Sequence, residues 1–152
     1  MMEWSEILLR LGVATLACGA IGLNRDLHGK PIGLRTLGLV GLATAVVVTF
    51  AMPQGPDPAH ITDAVSRVIQ GILTGIGFLG AGVIVHAEPQ HKVRGLTSAA
   101  CVWFAACIGV ICGAGQWRLV TVGLAMALIL LIAGGPLERL LHRLLTADDK
   151  PA

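Results

Sequence analysis

A chain of 152 residues in which 55% are hydrophobic and only 13% charged lacks the polar surface of a water-soluble globule, where about a quarter of residues carry charge. With a mean hydropathy of +0.78 and a net charge of +2, it is excluded from the disordered, secreted and nucleic-acid-binding classes. What remains is an integral membrane protein with little mass outside the bilayer.

Five apolar runs follow one another: Ile7 to Leu23, Leu37 to Met52, Val68 to His86, Leu96 to Cys112 and Trp117 to Gly134. Each is close to the roughly 20 residues that a helix needs to cross a bilayer. The alternation of a membrane barrel is absent, so backbone groups must be satisfied within each segment, and the fold class is all-α with five transmembrane helices. The first run is flanked by Glu3 and Glu6 and lacks a basic leader, so it stays as a membrane helix. Arg10, inside that run, is expected to reach the nearby surface as an anchor. Before the third run, Asp57-Pro58 has the form of an N-cap and first-turn proline, and Asp63 and Arg67 stand at i,i+4 pairing distance. Cys18, Cys101, Cys107 and Cys112 all lie in apolar runs with no CxxC pair, and are read as small packing residues. After Pro136 a short basic amphipathic tail, Leu137 to Leu145, is expected, dividing the chain into a membrane domain over 1–135 and a tail over 136–152.

Arg25, Lys30, Arg35, Lys92, Arg94, Arg139, Arg143 and Lys150 fall on one side, against Arg67, Arg118 and at most Arg10 on the other. Eight against three predicts an outside N-terminus and a cytoplasmic C-terminus, which an odd number of spans requires. The first and third loops echo one another at an offset of about sixty residues: Gly19-Ala20, Lys30 and Gly33-Leu34-Arg35-Thr36 against Gly80-Ala81, Lys92 and Arg94-Gly95-Leu96-Thr97. This would be a parallel repeat about an axis along the membrane normal.

Two constellations carry the functional expectations. Gly71, Gly75, Gly77, Gly80 and Gly82 line the third run at spacings that let helix backbones touch, and are expected to form a packing face for assembly or a partner. Arg25, Arg35, Thr36, Arg94 and Thr97 gather near two cytoplasmic helix N-termini, an arrangement suited to an anion or lipid headgroup, while the polar residues Asn24 and Asp26 close the first run. A shared anion between Arg35 and Arg94 is the specific expectation. The spans contain no acidic residue, which weighs against a cation-coupled pump. No metal site, cofactor motif or catalytic constellation is visible, so no enzyme is expected.

These stretches resemble the MgtC/SapB family of bacterial inner-membrane proteins over nearly the whole chain. The resemblance rests on Gly19-Ala20-Ile21-Gly22-Leu23 with Arg25-Asp26, on Gly33-Leu34-Arg35-Thr36, on Gly75-Ile76-Gly77-Phe78-Leu79-Gly80-Ala81-Gly82-Val83-Ile84, and on Val93-Arg94-Gly95-Leu96-Thr97 leading to Trp103. It implies a five-span domain in a multi-pass inner-membrane protein. It also implies a role in growth at low magnesium, in survival inside host phagocytes, or in regulating the F-type ATP synthase or the membrane potential. Membrane lipids and another membrane protein or a second copy are the expected partners; a small ion transporter or channel is the alternative. Asn24 stands where the family usually has Glu, so a role resting on that carboxylate does not transfer. Nor does regulation by the ACT-like domain into which many members continue.

Overall fold

The five apolar runs correspond to five helices, α1 (Trp4–Leu27), α2 (Leu34–Ala51), α3 (Pro58–Val85), α4 (Leu96–Gly113) and α5 (Trp117–Thr146), with Met52 one residue past α2 and His86 outside the described residues. The structure, a computed structural model, describes residues 2–52, 58–85 and 95–146. Among the described residues every regular element is helical, and all five helices are long and apolar enough to span a bilayer. Asp57, Lys92, Arg94 and Lys150 lie outside the described residues.

Helices consecutive in the chain run in opposite directions, α2 and α4 run side by side in the same direction, and α4 is the centre of the bundle. It touches all four others, whereas α3 and α5 touch each other nowhere among the described residues. In the span of α4, 56% of residues are buried, against 6% in those of α3 and α5. In lipid no hydrophobic difference drives helices together, so close contact depends on small side chains. The buried seam follows that rule, with Ala14, Ala17 and Cys18 of α1 and Ala45 of α2 facing Ala105, Ala106 and Cys112 of α4. Glycines bring the backbones closer still. A Cβ at Gly41 would run into Cys18, one at Gly109 into Thr44, and one at Gly113 would lie 2.8 Å from the Ala45 carbonyl oxygen. Cys18, Cys101 and Cys112 are free, buried side chains in this seam, and Cys107 is half-buried.

Where α1 begins and α4 finishes, Arg10 departs from its expected place. It donates from Nε to Glu6 at 2.7 Å and from a terminal guanidinium nitrogen to the Gly113 carbonyl at 2.6 Å. The last carbonyls of a helix have no donor within it, and a paired guanidinium satisfies one of them better than it would by reaching for the surface. Arg67 and Asp63 do pair, at 2.8 Å and largely exposed, on an α3 that starts at Pro58.

α5 continues through Pro136 to Thr146, so the expected tail extends the helix of the fifth span. Proline removes one helical hydrogen bond and crowds the residue before it. Here that residue is Gly135, which has no Cβ to meet the ring.

Candidate functional site

The end of α1, the start of α2, the end of α3 and the start of α4 converge on one end of the bundle. Two adjacent residues of α1 divide the work there. Arg25 turns inward and is buried, 6% exposed, donating a hydrogen bond to the hydroxyl of the equally buried Ser98 on the first turn of α4. Asp26 turns towards α2, and its carboxylate accepts the Leu34 backbone N–H at 2.9 Å. That N–H is one of the unpaired donors of the α2 N-terminus, so Asp26 caps a helix it does not belong to.

The chain must pass very close to itself for this. A Cβ at Gly22 would sit 2.5 Å from the Leu34 Cα, and one at Gly33 would strike the Asp26 carboxylate. Between them the connection folds back on α1, with the Lys30 backbone N–H donating to the Arg25 carbonyl at 3.0 Å and His28 Nδ1 donating to the Asn24 carbonyl at 2.7 Å. Ile32 adopts φ 68, a conformation that costs a β-branched residue about 1–3 kcal/mol, and is held there by packing against the core.

The start of α4 is built differently. Gly95 precedes it at φ +91, where a Cβ would lie 2.9 Å from the Val83 carbonyl oxygen, so only glycine fits. It therefore offers no side chain to cap α4, and no other side chain among the described residues supplies a cap hydrogen bond. Beside this open terminus lies a cavity of about 1010 Å³ whose polar wall is formed by Arg25, Lys30, Thr36, Thr97 and Ser98. Val40, Phe78, Leu79, Val83 and Val102 form its apolar wall. Arg25 Nε is buried with no hydrogen-bond partner, and no carboxylate among the described residues pairs with the guanidinium.

Of the residues expected to hold an anion, Arg25, Thr36 and Thr97 line this cavity. Arg35 is exposed and outside its lining, and Arg94 lies outside the described residues. Asn24 is half-buried and contributes its carbonyl to His28, and Asp26 serves the α2 cap. Lys30 and Ser98 were not among the expected ligands. Lys30 entered as a topological charge and as part of the loop repeat, and Ser98 carried one usable signal, a hydroxyl beside Thr97 in the first turn of an otherwise apolar helix. The glycine face also differs from expectation within the chain. A Cβ at Gly71, Gly75 or Gly77 would meet nothing within 4 Å, whereas one at Gly80 would meet Ala99 at 3.8 Å and Gly82 lines the cavity. A Cβ at Gly82 likewise meets nothing within 4 Å, so at Gly71, Gly75, Gly77 and Gly82 no other helix among the described residues comes within close reach of a Cβ.

Comparison with known proteins gives a consistent kinship. The model of the MgtC family matches residues 11–140. Protein SrpB of Synechococcus elongatus is 37% identical over 145 residues, covering 91% of this chain and 80% of its own. "Putative magnesium transporter YhiD" of Escherichia coli K12 is 37% identical over 130 residues, 84% of this chain and 60% of that protein. Protein MgtC of Salmonella typhimurium is 40% identical over 111 residues, 73% of this chain and 45% of that protein. The chain thus spans about half to four-fifths of these relatives. No solved structure matches.

Proposed function

The chain belongs to the MgtC family and is a multi-pass membrane protein, and from that premise we propose that it is a non-enzymatic regulator in magnesium or membrane-energy homeostasis rather than a conduit for the ion. The observation that carries this reading is the sign of the charge in the cavity. A magnesium ion needs an octahedron of oxygen ligands, usually with one or two carboxylates. The cavity presents a buried guanidinium and an ammonium instead, both of which repel a divalent cation. The magnesium link is drawn from the name of the relative YhiD and from the family resemblance.

In this reading the regulator acts by contact with another membrane protein, the F-type ATP synthase being the candidate the resemblance supplies, or with a second copy. The α3 face carrying Gly71 and Gly75, where a Cβ would meet nothing within 4 Å among the described residues, provides the close-approach surface. The chain sits in the bacterial inner membrane with its N-terminus outside and the cavity end in the cytoplasm, as the charge asymmetry favours. A cysteine placed at Gln54 is then labelled from outside, and a reporter fused after Lys150 reads cytoplasmic.

Magnesium flux into liposomes containing only this protein tests the central claim. No selective flux above protein-free vesicles is expected, and robust selective flux establishes the transporter instead.

A further inference from the structure

We infer that the cavity at the start of α4 is a binding site for the phosphate of an anionic membrane lipid, an assignment that goes beyond the regulatory role. Three independent features converge on it. First, Arg25 is an arginine 6% exposed whose Nε has no partner and whose charge meets no carboxylate among the described residues. Burying a cation without a counter-charge is costly, so the site favours a ligand that brings one. Second, no side chain among the described residues caps the first N–H groups of α4, since Gly95 has none to offer, and helix N-termini attract anions through these donors and the helix dipole. Thr36, Thr97 and the rim residue Lys30 add hydroxyls and a second positive charge. A guanidinium fork, free amides and hydroxyls are the usual partners of phosphate oxygens.

The third feature distinguishes a lipid from a soluble phosphate. At about 1010 Å³ the cavity is at the upper end of the range for whole small molecules, far more than one phosphate fills. Its other wall is apolar, and Phe78 on that wall is 82% exposed on the outside of a membrane-spanning helix. A headgroup at Arg25 with an acyl chain laid along Val40, Phe78 and Val102 uses both halves. A free phosphate uses only the first. With two cations and no described carboxylate on the lining, the net charge selects an anionic lipid over a zwitterionic one.

The test uses the full chain purified in a neutral detergent and titrated separately with phosphatidylglycerol, phosphatidylcholine and inorganic phosphate, with bound mass counted by native mass spectrometry. Phosphatidylglycerol is expected to bind more tightly than phosphatidylcholine, and inorganic phosphate at millimolar concentration is expected not to displace it. Lys30→Gln changes an exposed residue and leaves the fold intact; it is expected to weaken phosphatidylglycerol about fivefold, the effect of one basic residue at a lipid surface. Arg25→Lys keeps the charge but loses the fork, and about a tenfold loss is expected. Should Arg25→Lys fail to fold, Lys30→Gln still decides. Equal retention of both lipids, or retention unchanged in Lys30→Gln, overturns the site. Displacement of the lipid by inorganic phosphate overturns the lipid and leaves a soluble phosphate as occupant.

Discussion

The α1–α2 and α3–α4 hairpins are built to a similar sequence plan, with a glycine-rich helix, a basic connection and a Gly-Leu opening the next helix, yet they close differently. In the first, Gly22 and Gly33 bring the two helices into backbone contact, and Asp26 caps the N-terminus of α2. In the second, Gly71, Gly75 and Gly77 meet no neighbour, and α4 starts uncapped behind a left-handed glycine. The first hairpin caps the N-terminus of its second helix from within. The second leaves donors open, and it is to that opening that the first contributes Arg25. Glycine content alone therefore says nothing about closeness: the same residue makes a contact in one hairpin and a bare face in the other.

The sharpest break of this comparison is a paired substitution. Gly22→Leu forces a side chain into the backbone of Leu34 and is expected to cost about 3 kcal/mol or prevent folding, while Gly75→Leu changes the unfolding midpoint by less than about 0.5 kcal/mol equivalent. Unfolding in a mixed-detergent titration measures both, and similar losses would erase the distinction. Any effect of Gly75→Leu on capture of a partner or on oligomeric state then belongs to contacts between chains.

The opposite end of α4 supplies the next contrast, since its last turn is capped from outside as its first is not. Arg10→Gln removes a charged hydrogen bond to the Gly113 carbonyl together with the Glu6 pair, and a loss of about 2 kcal/mol in the same titration is expected. Asp26→Ala uncaps α2 and makes its N-terminus resemble that of α4. A loss of about 1 kcal/mol is expected, and hydrogen exchange should rise at Leu34 while the amides of α4 keep their rates. Smallest is Asp63→Asn, which breaks an exposed pair on α3 and should change stability by about 0.3 kcal/mol.

The five spans were legible in the sequence because the length of an apolar run is a one-dimensional property, and Pro58 marked the start of α3 directly. Orientation about each helix axis was not legible. The density of glycines in α3 says that something can approach, but which side faces α4 depends on how both helices are rotated, and nothing in a single chain's composition fixes that. The same blindness hid the direction in which Arg25, one of the expected anion ligands, points. Charge counting assigns an arginine to a side of the membrane, whereas the fold turns this one inward between α1 and α4 towards Ser98. Pro136 misled for a local reason, because the glycine before it removes the steric penalty that ordinarily ends a helix. Thr36 and Thr97, which the sequence places in the first turns of α2 and α4, line the cavity.

The central position of α4 has a consequence for how the protein is made. Membrane helices are delivered in order from the N-terminus, and the helix on which every other one packs is the fourth to arrive. Until then α1 and α2 can associate through Gly22 and Gly41, but the small-residue groove between them stays unfilled and α3 has almost nothing to hold. Assembly is thus deferred rather than progressive: the first hairpin waits as a half-built receptor, α3 stands aside in the lipid, and the arrival of a single helix joins a packed pair and a lone helix into one body.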